Sequence, residues 1–144
     1  MAMSSQEYLM KNYAPLDVSF THGEGSILYD QQGNAYLDAL AGIAVCSLGH
    51  AHPAVTRAIC DQAAKLTHTS NIYQIEQQQK LSEKLCELSG MQRAFFSNSG
   101  AEANEAAIKL ARLYGNKKGV QNPAIIVMDH SFHGRTMATL SATG

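Results

Sequence analysis

One stretch narrows the choice of folds more than any other: Ala94-Phe95-Phe96-Ser97-Asn98-Ser99-Gly100-Ala101. A short apolar run ends in a turn of small polar residues, and the turn opens directly into a helix-forming segment. From Ala101 to Tyr114 the residues Ala103, Ala107, Leu110 and Tyr114 recur on one face, and Gly115 is expected to end the helix. Ala124 to Met128 is then a continuous apolar run, the mark of a strand buried on both faces. Strand, helix and strand in that order predict a βαβ unit and so a parallel sheet. Two strands make a poor sheet, and the chain reads as the first portion of something larger.

The residues before this unit carry clearer punctuation. Ser4 to Lys11 suits a short helix capped by Ser4 or Ser5. Ile27-Leu28-Tyr29 and Ala35-Tyr36-Leu37 are β-like runs flanking Asp30-Gln31-Gln32-Gly33-Asn34, which predicts an antiparallel hairpin. Leu40 to His52 is loop-like. Pro53 then suits the first turn of a helix running to about Leu66, with Val55, Ile59 and Ala63 buried. Thr67 to Tyr73 is a polar connection. A second helix, about Ile75 to Leu88, aligns Leu81, Leu85 and Leu88, and Gly90 is placed to end it. Ser131 to Gly144 starts a further loop and helix.

Composition excludes several classes of function. The chain has 144 residues, 45% apolar and 16% charged, which argues against disorder. With 11 basic and 12 acidic side chains the net charge is −1, so no charge excess drives binding to nucleic acid or a membrane surface. Apolar stretches such as Leu40 to Val45 fall far short of the ~20 residues of a spanning helix. The start, MAMSSQEYLMKNY, has neither a basic opening nor an apolar core and reads against a secretory leader. Cys46, Cys60 and Cys86 lack paired spacing, so no disulfide framework or zinc site is expected. His50-x-His52 and His130-x-x-His133 lack matching further ligands, and structuring of loops is the favoured role. A cytoplasmic α/β protein is the expectation.

The turn at Ser97 to Ala101 admits two readings. Unsatisfied N–H groups at a helix N-terminus, with the helix dipole, attract an anion, and Gly100 lets a ligand approach the backbone. Such a site suits a phosphate monoester. Equally, Ser99-x-x-Glu102 matches a capping box, whose two residues satisfy each other's backbone donors. The readings coexist if Ser99 caps while the N–H groups of Gly100 and Ala101 face a phosphate and the Glu102 carboxylate points away.

Here the chain resembles a known family. SNSGAEANEAAIKLAR is similar to the phosphate-binding turn and helix of the class III, pyridoxal-phosphate-dependent aminotransferases. YDQQGNAYLDALAGIAVCSLGHAHPAV resembles the family's N-terminal hairpin and loop, HTSNIY its next loop, and MDHSFHGRTMATLSATG its second active-site segment. Within the family the wording is nearest to the acetylornithine and succinylornithine aminotransferases.

The resemblance implies the N-terminal part of a fold type I transferase: residues 1–66 as a small hairpin and helix segment with an active-site loop, and residues 67–144 as the incomplete start of a cofactor domain. That domain is built on a mainly parallel sheet with flanking helices. It implies pyridoxal 5'-phosphate, with Ser99, Gly100 and Ala101 on the phosphate, Phe132 packing on the pyridine ring and Arg135 gripping the substrate α-carboxylate. Acetylornithine enzymes often carry threonine where Ala101 stands, so one hydroxyl contact is lost here. Glu102 and Asn104 are read as helix-terminus residues with a supporting role, and Ser70, Asn71 and Tyr73 as residues near the active-site mouth.

The implied activity moves the terminal amino group of N-acetylornithine or succinylornithine to 2-oxoglutarate in arginine metabolism, in a homodimer. That chemistry needs a Schiff-base lysine. None of Lys11, Lys65, Lys80, Lys84, Lys109, Lys117 and Lys118 stands in the family's context for it, so the isolated chain is expected to be inactive. The alternatives are another class III enzyme, acting on ornithine or 4-aminobutyrate, or a non-catalytic truncated module.

Overall fold

The computed structural model describes residues 8–144, so the expected helix caps Ser4 and Ser5 lie outside the described residues. The chain divides into two units, one reaching Ser70 and one starting at Asn71.

The first unit is built on a three-stranded antiparallel sheet in the order β1 (Phe20–Glu24), β2 (Ile27–Asp30), β3 (Ala35–Leu37). The expected hairpin is β2–β3, pairing Ile27 with Leu37 and Tyr29 with Ala35. Its turn is organised by Asp30. The carboxylate accepts N–H bonds from Gln32 and Asn34, an amide N–H from Asn34 and the Tyr36 hydroxyl, at 2.8–3.0 Å. Gly33 takes a φ of +84°, which a residue without Cβ adopts freely. β1 is a strand the sequence reading missed. It pairs with β2 through a bulge between Phe20 and His22. After β3, the single turn α1 (Ala41–Ala44) is left-handed, with φ between +50° and +64°. α2 (Pro53–Ala63) starts at the proline as expected.

In the second unit, α3 (Glu76–Ser89) ends on Gly90 in the left-handed conformation at φ +70°, as expected. α4 (Gly100–Lys117) runs through Gly115, which corrects the expectation that this glycine ends it. A Cβ on Gly115 would lie 2.7 Å from the Pro123 ring, so the glycine serves close packing of the returning chain. α5 (Met137–Ala142) follows, with Thr136 and Thr139 forming a capping box, and packs against α4.

Two local expectations fail. Ala94–Phe96 and Ala124–Met128 are not strands, and the only sheet among the described residues is antiparallel. A strand exists only as part of a ladder, and neither run has a partner within these residues. The expected burial of Val55, Ile59 and Ala63 also fails: Ile59 is 63% exposed. Leu81, Leu85 and Leu88 are likewise exposed, and no apolar side chain among the described residues is buried. The apolar stripes are present at helical spacing, but nothing within the described residues covers them.

Candidate functional site

The site is built from the first turns of α4 and the segment leading into α5. Ser99 is extended and caps α4, its hydroxyl accepting the Glu102 N–H at 3.2 Å. The Glu102 carboxylate turns back and accepts the Asn98 N–H at 2.6 Å, one residue earlier than an ideal capping box would place it. The Ser97 hydroxyl donates to the Ser99 carbonyl at 3.3 Å. The cap is therefore real, but it leaves the N–H groups of Gly100 and Ala101 without a partner among the described residues. A Cβ built on Gly100 meets nothing within 4 Å, so the space in front of this helix end is open. Two unengaged donors at the positive end of an 18-residue helix, approached through a glycine, fit the phosphate of pyridoxal phosphate.

The second segment docks on the same helix. Asn104 donates from Nδ2 to the His133 carbonyl at 2.8 Å. Buried Gly134 lies against Ala101: a Cβ there would sit 2.8 Å from Ala101 Cβ and 2.6 Å from Thr139 Oγ1. Its φ of +133° also disfavours any side chain. Thr136 donates from Oγ1 to Glu105, and its Oγ1 lies 2.7 Å from the hydroxyl of Thr139, which has no exposed surface. Phe132 and Arg135 both project outward, and the guanidinium carbon lies 5.6 Å from the Phe132 ring centroid. At 69% exposed, Phe132 is a platform and not a core residue within these residues.

Ser99, Gly100, Ala101, Phe132 and Arg135 thus all belong to one unit, and packing of Gly134 on Ala101 joins their two segments. Asn104 gains a definite contact. Glu105, Thr136 and Thr139 were not singled out from the sequence. The available signal was spacing: Ala101, Asn104 and Glu105 stand at i, i+3 and i+4, so one helix face carries all three. Asn71 and Tyr73 line a separate groove of about 880 Å³ with Phe95 and Phe96.

In the first unit His50 contacts Asp38 through Nε2, while Nδ1 of His52 is buried without a partner among the described residues. No group of three His, Cys, Asp or Glu side chains among the described residues is placed to hold a metal ion, and no helix there is long and apolar enough to cross a membrane.

Residues 8–144 match the family described as Aminotransferase class-III. The acetylornithine aminotransferase of Nitrosomonas europaea is 61% identical over 137 residues, covering 95% of this chain and 35% of that protein. The crystal structure of N-acetylornithine aminotransferase from Stenotrophomonas maltophilia superposes with a TM-score of 0.77 at 41% identity, over 85% of this chain and 34% of that one. An ornithine aminotransferase structure from Toxoplasma gondii, described as partially occupied by pyridoxal phosphate at its active site, gives 0.87 at 34% identity over 96% of this chain and 33% of that one. The chain spans about a third of the length of the relatives it matches.

Proposed function

Because the chain belongs to the class III aminotransferases, with the α/β architecture of the N-terminal part of fold type I, we propose that the complete protein is a pyridoxal-phosphate-dependent transaminase. In this reading it moves the terminal amino group of N-acetylornithine, or of succinylornithine, to 2-oxoglutarate in arginine metabolism. The observation that carries the proposal is the open, donor-bearing end of α4 lying against the segment that presents Phe132 and Arg135. The 61% identity to an acetylornithine aminotransferase favours an acylated ornithine as amino donor.

Each residue has a separable task. The N–H groups of Gly100 and Ala101 take the phosphate of the cofactor, with Ser99 holding the turn that aims them. Phe132 packs on the pyridine ring, a contact worth about 0.5–1.5 kcal/mol beyond its area. Arg135 grips the α-carboxylate through two parallel hydrogen bonds, setting orientation as well as charge. Pyridoxal phosphate, when bound, supplies an electron-poor ring that accepts the electron pair freed at the amine carbon.

We assign no catalytic lysine within these 144 residues. Lys109 stands more than two turns inside α4, away from the helix end that binds the cofactor. The isolated chain is accordingly proposed to be inactive. The complete protein is proposed to be a cytoplasmic homodimer, with the division between its small segment and its cofactor domain after residue 66.

The test is turnover by the complete protein with N-acetylornithine and 2-oxoglutarate, read as glutamate formation. Preference for ornithine or 4-aminobutyrate over both acylated ornithines would replace the substrate assignment. Covalent capture of the cofactor by the 144-residue chain, seen as added mass after borohydride reduction, would overturn its proposed inactivity.

A further inference from the structure

Arg135 is flanked by two anchors that both come from α4. On one side the His133 carbonyl accepts from Asn104; on the other the Thr136 hydroxyl donates to Glu105. These bonds bridge 29 and 31 residues of sequence. A hydroxyl has one hydrogen. With that of Thr136 committed to a carboxylate, the Thr139 hydroxyl, 2.7 Å from Thr136 Oγ1, is left to donate to Thr136, whose carbonyl is also in reach at 3.2 Å, while its oxygen accepts the Thr136 N–H at 3.0 Å. Glu105 is therefore linked through the Thr136 and Thr139 hydroxyls to the backbone next to Arg135. Between the anchors stands Gly134, the residue type with the widest backbone freedom. The Thr143 hydroxyl adds a third tie, accepting the His133 N–H at 3.1 Å and lying 3.3 Å from the Gly134 carbonyl.

We propose that Asn104 and Glu105 are positioning residues for Arg135, fixing the backbone on both sides of it so that its guanidinium meets a carboxylate squarely. The inference rests on the reading of Arg135 as the carboxylate grip. A two-bond contact between planar groups is sensitive to orientation, so a loosened backbone weakens it without removing the charge.

The experiment uses the complete, cofactor-loaded protein and two donors: N-acetylornithine and its decarboxylated analogue, N-acetylputrescine. Asn104→Ala and Glu105→Ala are each expected to raise KM for N-acetylornithine by up to about tenfold, as for one lost hydrogen bond, with a smaller loss in kcat. KM for N-acetylputrescine, which has no carboxylate to grip, stays unchanged. Glu105→Gln, which keeps an acceptor for Thr136, restores most of the loss. In cofactor-free protein the two alanine variants speed amide exchange across residues 133–136, and Glu105→Gln does not. Equal KM effects on both donors, or no change in exchange, overturn the positioning role. Arg135→Gln is the reference. If it fails to discriminate the two donors, the carboxylate assignment falls and the inference with it. If it discriminates and the alanine variants do not, only the inference falls.

Discussion

Asp38 and His50 are twelve residues apart in sequence and 2.6 Å apart in space, Oδ2 to Nε2. The same carboxylate accepts N–H bonds from Leu40 at 3.0 Å and Ala41 at 2.8 Å. His50 in turn exchanges two backbone hydrogen bonds with Gly25, in the β1–β2 turn. A side chain on Gly23 would strike the His50 ring at 2.9 Å, so the ring lies flush on the hairpin. Asp38 thus ties the loop after β3 back to the sheet.

This contact has an acid dependence of definite sign. The hydrogen bond from His50, then those from the Ala41 and Leu40 amides, hold the Asp38 carboxyl below its ordinary value of 3.8. A carboxyl lowered by folding stabilises the fold above 3.8, and that contribution is lost as pH falls through the lower folded value. Asp38→Asn is expected to lower the thermal midpoint at neutral pH and to flatten its fall as pH drops below 3.8. The Asp30 carboxyl is also lowered by its turn contacts, so the difference between variant and parent is the quantity to measure. An unchanged slope in the variant would show that Asp38 is not coupled to folding.

Substitution of Ser99 separates capping from phosphate binding. Ser99→Ala removes the acceptor for the Glu102 N–H and is expected to cost about 1 kcal/mol of stability. Ser99→Asp keeps a good cap and places a negative charge where the helix dipole favours it. Its cofactor-free stability is expected to match or exceed that of the parent. Its affinity for pyridoxal phosphate should nonetheless fall about tenfold or more, because two anions then share one helix end. Undiminished affinity, measured by cofactor titration, would place the phosphate elsewhere.

Gly134→Ala should be more damaging than most surface changes. The new methyl group would meet Thr139 Oγ1 at 2.6 Å and Ala101 Cβ at 2.8 Å, at a φ of +133°. Backbone strain of this kind costs on the order of 1–3 kcal/mol, before the clash is counted. The expected outcome is release of residues 132–136 from α4, read as faster amide exchange there. Exchange unchanged from the parent would show that the segment does not depend on this close approach.

Gly115→Ala tests a sign. In an open helix the change would stabilise by about 0.5–1 kcal/mol. Here the added Cβ would lie 2.7 Å from Cβ and Cγ of Pro123, a rigid ring with little room to yield. A lower thermal midpoint is expected, and a higher one would show that the Pro123 segment moves aside at little cost.

Features of short range were the most legible in the sequence. Asp30, Gly33 and Asn34 predicted their turn because the hydrogen bonds that close it lie within four residues. Pro53 and Gly90 marked a helix start and a helix end through their own backbone preferences. Gly115 misled, because a glycine selected for close packing carries the same letter as one selected for a left-handed bend. Phe95 and Ile126 misled differently: their runs have strand composition, but pairing depends on a neighbour that composition does not specify.

For the site, sequence was enough to mark Ser99, Gly100 and Ala101, since a cap and a helix start are local events. Phe132 and Arg135 entered only by resemblance, and Glu105 not at all. What joins them is the approach of Gly134 to Ala101 and of Thr136 to Glu105, across about thirty residues. Turns, caps and helical stripes follow from interactions within about one helical turn, so the order of residues alone specifies them. Which helix face receives the returning segment depends on contacts between residues far apart in the chain, and is fixed only when the chain folds back on itself.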